Sequence, residues 1–165
     1  MKLVTLLSAA TLLSTTLVAG DYDALGKAMR SAWPQVVTVG VVCDSANSKA
    51  ALEAISGALP GMKLVVVDVK GPQDMGKALG QLGARHLDAV MLVAGDKVAG
   101  DGTGGAAFLI QRMATAKVPT VATTEAGVRQ GAALGVGPGT GGKLLANGKV
   151  AGIAGVTVPA SASQI

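Results

Sequence analysis

The chain has 165 residues, 24 of them glycine, and a formal charge of +4. Its basic residues are scattered instead of forming a stripe, so the electrostatic footprint of a nucleic-acid binder is missing. Cys43 is the only cysteine, which excludes an internal disulfide and a thiolate metal site.

Met1 and Lys2 precede an apolar segment from Leu3 to Val18, followed by Ala19 and Gly20 and then by polar Asp21 and Tyr22. This pattern reads as a secretory signal peptide over 1–20. The apolar run carries Ser8, Thr11, Ser14, Thr15 and Thr16, and it falls short of the roughly 20 residues a bilayer span requires. The expected product is periplasmic, with no stable membrane insertion after cleavage. Loss of Lys2 lowers the formal charge to +3. The remaining chain suits one domain, 21–159, with a polar tail over 160–165.

Asp21 to Trp33 has Leu25, Ala28, Met29 and Ala32 at helical spacing, and Pro34 bars continuation. Val36 to Cys43 is β-branched and apolar, the first buried strand. Ser45 or Asn47 is placed to cap a helix running to about Leu59, which Pro60 and Gly61 end. Lys63 to Val69 is the second strand. A helix from Gln73 to Leu82 follows Pro72, which a first helical turn tolerates. Asp88 to Ala94 is apolar from Ala89 onward, the mark of a strand covered on both faces. Gly105 to Ala116 is predicted helical, facing inward with Phe108, Leu109 and Met113. Val118 to Thr123 is a fourth strand, Glu125 to Gly131 a short helix or turn, and Ala132 to Val136 a fifth strand. Beyond Gly137 the regularity fails: at most a two-turn helix fits before a last extended piece, Ile153 to Val158.

Strand and helix alternate at nearly constant spacing, the signature of right-handed βαβ units. The expected fold is α/β: a doubly wound, mostly parallel sheet of about five strands in the order 2-1-3-4-5, flavodoxin-like or periplasmic-binding-like. Such sheets hold ligands outside the carboxyl ends of their strands.

Two glycine-rich stretches match nucleotide motifs in part. Gly100 to Gly105 has the spacing G-x-G-x-x-G, but a long loop from Gly95 to Gly104 separates strand from helix, where a dinucleotide fingerprint demands a tight approach. Gly137 to Lys143 has Walker A spacing, yet Leu144 stands where magnesium needs Ser or Thr. Both read as loops, and no cofactor is expected. His86, the only histidine, precedes its strand at the opposite end from the site. Asp96 and Asp101 read as hydrogen-bonding or capping carboxylates and not as an acid–base pair. Cys43 reads as an inert core thiol. The chain is therefore expected not to be an enzyme.

From Val36 to Pro159 the chain resembles the C-terminal lobe of ABC transporter substrate-binding proteins of the type I periplasmic-binding fold. The matching pieces are VGVVCDSANSKAALE, the QDMGKALGQL helix with LDAVMLVAGD, KVPTVATTEAGVRQGAALGVGP, and LLANGKVAGIAGVTVP. The resemblance implies a ligand touched by turns at the strand ends: Ser45 and Asn47, Asp96, Thr124 and Glu125, and Gly137. It implies a small-molecule solute, an ABC transporter permease or a membrane sensor as partner. The chain departs from the family in spanning one lobe, with the long helix after Gly137 cut to a fragment. A ligand-free interaction module and a small exported cofactor-binding protein stay open as alternatives. With Asp96 and Glu125 on the rim and few aromatics, a polar or cationic group is the expected ligand.

Overall fold

A computed structural model describes residues 17–137 and 142–165. The order of elements is α1 (Leu17–Ala32), β1 (Thr38–Cys43), α2 (Lys49–Ala58), β2 (Lys63–Asp68), a 3-10 turn (Pro72–Asp74), α3 (Met75–Gly83), β3 (Ala89–Met91), α4 (Gly104–Thr115), β4 (Thr120–Val121), α5 (Glu125–Arg129), β5 (Leu134–Val136), β6 (Leu144–Ala146), α6 (Gly148–Ala154) and β7 (Ser163–Gln164).

The strands form one sheet in the order β2-β1-β3-β4-β5-β6-β7. The first five follow the expected order and run parallel, with Val39 beside Leu64 on β2 and beside Ala89 on β3. Apolar strands of this kind need cover on both faces, and the helices provide it. On one face Tyr22, Leu25, Met29 and Trp33 of α1 and its end pack with Ile55 and Leu59 over Val39, Val41 and Met91. On the other, Leu79, Leu82, Leu109, Ile110 and Met113 pack over Val42, Val90 and Leu92.

Glycine sets the closeness of two contacts. A Cβ on Gly26 would lie 2.2 Å from the Ala58 carbonyl oxygen, so α1 and α2 cross backbone to backbone, and Arg30 donates to that same oxygen. A Cβ on Gly40 would lie 2.8 Å from Leu87.

Four expectations need correction. The sheet gains two strands beyond the five expected: β6 pairs antiparallel with β5, Gly135 opposite Leu145, and β7 pairs parallel with β6. Ser163 and Gln164 are thus sheet residues and not free tail. Ile153 lies within α6, not in an extended piece; Asn147 caps that helix by accepting from Val150 N–H, and Gly155 ends it at φ 70°. Phe108 is 44% exposed, because the inward stripe of α4 is Ala106, Leu109, Ile110 and Met113.

The C-terminal segment returns to α1: Trp33 Nε1 donates to the Thr157 carbonyl at 2.7 Å, and Thr157 Oγ1 donates to the Ala32 carbonyl at 2.6 Å. Trp33 is fully buried, as an aromatic with a satisfied N–H should be.

Candidate functional site

The loops after β1, β2, β3 and β4 meet at the carboxyl edge of the sheet, where parallel strands bring their polar ends together. Asp96, in the loop after β3, is buried. Its Oδ2 accepts from Asp44 N–H at 2.8 Å and from Ser48 Oγ at 2.7 Å. Its Oδ1 accepts from Val98 N–H at 3.0 Å and Ala99 N–H at 2.8 Å. Burial alone would raise its carboxyl, but the donors from Ala99, Ser48, Asp44 and Val98 outweigh burial and hold it below the ordinary value. One carboxylate therefore joins the loops after β1 and β3.

Asp101 does the same one step along the edge. Its Oδ2 accepts from Thr123 N–H and Thr123 Oγ1, tying the loop after β3 to the loop after β4. Its Oδ1 is buried with no partner among the described residues. It lies against α5, where a Cβ on Gly127 would come within 2.2 Å. Here burial dominates the Thr123 donors and pushes the carboxyl up.

The outer rim is a second network. Asp68, the last residue of β2, accepts from Ser45 N–H at 2.9 Å and Ser45 Oγ at 2.6 Å, and Lys70 Nζ lies 3.0 Å away. The Ser45 bonds, with help from Lys70, bring its carboxyl down to about 2. Lys70 Nζ also meets Asp44 at 2.7 Å, and Asn47 Nδ2 donates to Asp44 at 2.6 Å. Asp44 is held low, first by Lys70, and Lys70 is held high, first by Asp44.

Of the residues expected at the site, Ser45, Asn47 and Asp96 fall in one continuous network. Thr124 caps α5, accepting from Gly127 N–H at 3.2 Å, and Glu125 pairs with Arg129 one turn on. Gly137, at the end of β5, donates its N–H to the Lys143 carbonyl at 2.8 Å. Neither Ser45 nor Asn47 caps α2; Ser48 precedes it, with its hydroxyl directed to Asp96.

Sequence reasoning missed Asp44, Ser48, Asp68 and Lys70. Asp68 joins through strand register: it is the partner of Cys43, so Ser45, two residues on, reaches the end of the neighbouring strand. Tyr22 was missed as well; its buried hydroxyl accepts from Ala94 N–H at 2.7 Å, and desolvation pushes the phenol up to about 12.

The groups that could do chemistry are poorly placed for it. Cys43 is buried, and desolvation first, then Asp96, pushes its thiol up to about 12. His86 follows α3 and precedes β3, at the amino edge. The G-x-G-x-x-G loop closes on itself. Gly100 N–H donates to the Asp96 carbonyl, Thr103 N–H to the Gly100 carbonyl, and Thr103 caps α4 by accepting from Ala106 N–H. Gly105 sits where a Cβ would be 2.0 Å from the Val98 carbonyl oxygen, so that glycine serves packing. Most of the Walker-like stretch, 138–141, lies outside the described residues. Among the described residues no helix is long and apolar enough to cross a membrane.

No protein-family model matches the chain, and no curated protein matches it. Solved structures do. The ABC domain in complex with L-Trp from Streptococcus pneumonia superposes with a TM-score of 0.74 at 19% identity, over 87% of this chain and 60% of that one. A conserved domain protein from Vibrio cholerae gives 0.69 at 20% identity, over 87% and 59%. The ligand-free, open structure of a substrate-binding protein with adhesive properties from Clostridium difficile gives 0.64 at 17% identity, over 84% and 57%. This chain spans about 60% of the length of these proteins. At such identities the likeness is one of fold, and the fold of this chain is a periplasmic-binding-like lobe.

Proposed function

We propose that the chain is an exported, non-enzymatic solute-binding domain serving an ABC transport system. Its small polar ligand lies along the carboxyl-edge loops, at Ser45, Asn47, Thr124, Glu125 and Gly137, with Asp96 beneath them. The observation that carries this reading is the pair of carboxylates, Asp96 and Asp101, that draw three loops into one preformed rim. A rim already ordered loses little conformational freedom on binding. Support comes also from the shared fold with a structure that holds L-Trp.

The role of Asp96 in this reading is positioning. Its two oxygens already accept four bonds, so a cationic ligand group would meet Glu125 before it met Asp96. Burial pushes the Cys43 thiol and the Tyr22 phenol up to about 12, so neither is a nucleophile at neutral pH, which supports binding over catalysis. Processing after Gly20 is compatible with the fold, since it leaves Tyr22, Leu25, Met29 and Trp33 in the core. Intact mass of protein from the cell envelope should then show a chain starting near Asp21.

A thermal-shift screen of free amino acids, L-Trp among them, and other small polar solutes tests the binding reading. A solute at about 100 times its Kd adds roughly 2.7 kcal/mol to folded-state stability. The expected result is a raised Tm with at least one solute, abolished by Asn47→Ala combined with Thr124→Ala. A shift that survives the double substitution would place the ligand elsewhere.

A further inference from the structure

The outer edge of the sheet carries a second surface, which meets the rim at Asp68. Strand β2 is terminal in the sheet and pairs only with β1. Lys63 N–H donates to the Val37 carbonyl at 2.7 Å and Val69 N–H to the Cys43 carbonyl at 3.0 Å. Backbone groups alternate along a strand, so residues 63, 65, 67 and 69 turn inward. Leu64, Val66 and Asp68 turn their N–H and C=O groups outward, a ready template for another strand.

Beside this edge lies a groove of about 450 Å³, walled by Lys63 to Val67 on one side and by Gln81, Ala84 and Arg85 on the other. Val66, at the middle of the strand, is 43% exposed. The charged residues lining the groove are Lys63 and Arg85, with no carboxylate among its described walls. Two acids flank it: Asp68, held by Ser45 and Lys70, and Asp88, whose carboxylate accepts from the Val37 and Thr38 N–H groups.

We infer that β2 receives an added strand from an extended, acidic segment of a partner protein. Its backbone would pair with Leu64, Val66 and Asp68, and its carboxylates would meet Lys63 and Arg85. Charge decides between occupants. A second copy would bring another Lys63 and Arg85 to a groove whose described walls hold no carboxylate. An acidic strand supplies the missing counter-charge.

The test uses the whole protein, isotope-labelled, and an acetylated hexapeptide alternating glutamate with valine. A hexapeptide alternating lysine with valine is the control. The acidic peptide should shift the amide resonances of Leu64, Val66 and Asp68 and slow their hydrogen exchange, with the lysine peptide about tenfold weaker. Val66→Pro removes an outward N–H without touching a bond to β1, and should abolish binding. If that variant fails to fold, the double substitution Lys63→Glu with Arg85→Glu should reverse the preference between the peptides. Equal affinity for both peptides would overturn the inference. So would binding indifferent to the substitutions, or protection of the same amides that grows with protein concentration alone, the mark of a second copy.

Discussion

Asp96 and Asp101 stand five residues apart on one loop and perform the same task, yet their surroundings are opposite. Asp96 receives four donors on two oxygens and is held below the ordinary carboxylate value, despite burial. Asp101 receives two donors on one oxygen, its other oxygen has no partner among the described residues, and burial pushes it up. A buried charge is tolerated in proportion to the hydrogen bonds that replace its water. The junction between the loops after β1 and β3 is therefore the firm half of the rim, and the junction with the loop after β4 is the half open to adjustment.

Isosteric substitution breaks this comparison most directly. Asp96→Asn turns an NH₂ toward donors and leaves two of them unpaired, which should cost on the order of 2 to 5 kcal/mol in denaturant unfolding. Asp101→Asn keeps an acceptor for Thr123 and removes an ill-solvated charge, so its effect should stay within about 1 kcal/mol. Equal losses at the two positions would show that the donors around Asp96 do not matter.

Titration sharpens it. Carboxyl carbon resonances should place Asp96 below 3.8 and Asp101 above it. On the outer rim Asp68 falls from 3.8 to about 2 in the folded chain. The unfolded chain thus binds the proton first, and this group's stabilisation is complete above the unfolded value and lost as pH falls toward 2. Ser45→Ala removes the largest cause of the depression and should move the Asp68 midpoint upward, with less stability lost on acidification. An unmoved midpoint would assign the depression to Lys70 instead.

The parallel half of the fold was legible because each of its strands is an apolar run bounded by turn residues, as from Ala89 to Ala94. The order β2-β1-β3-β4-β5 follows from regular βαβ alternation. The part after Gly137 was not, for a physical reason. Strands β6 and β7 have three and two residues, too short for periodicity to register, and β6 is stabilised by antiparallel pairing with β5, a tertiary fact. Asn147 before a helix was a readable cap.

At the site, Ser45, Asn47, Asp96 and Thr124 were legible as polar residues just past strand ends. Their partners Asp44, Asp68 and Lys70 were not, because they join through register between strands distant in sequence. Phe108 was misplaced by a single position on α4, enough on a helix to turn a side chain from core to solvent.

The proposed ligand site is the carboxyl-edge rim. Chemical-shift mapping of the labelled protein with a solute that raises its Tm tests that most directly. The expected perturbations centre on Ser45, Asn47, Thr124, Glu125 and Gly137, while the amino edge at Gly61 and His86 stays silent. Perturbations centred on Gly61 and His86, with Asn47 and Thr124 unmoved, would contradict it.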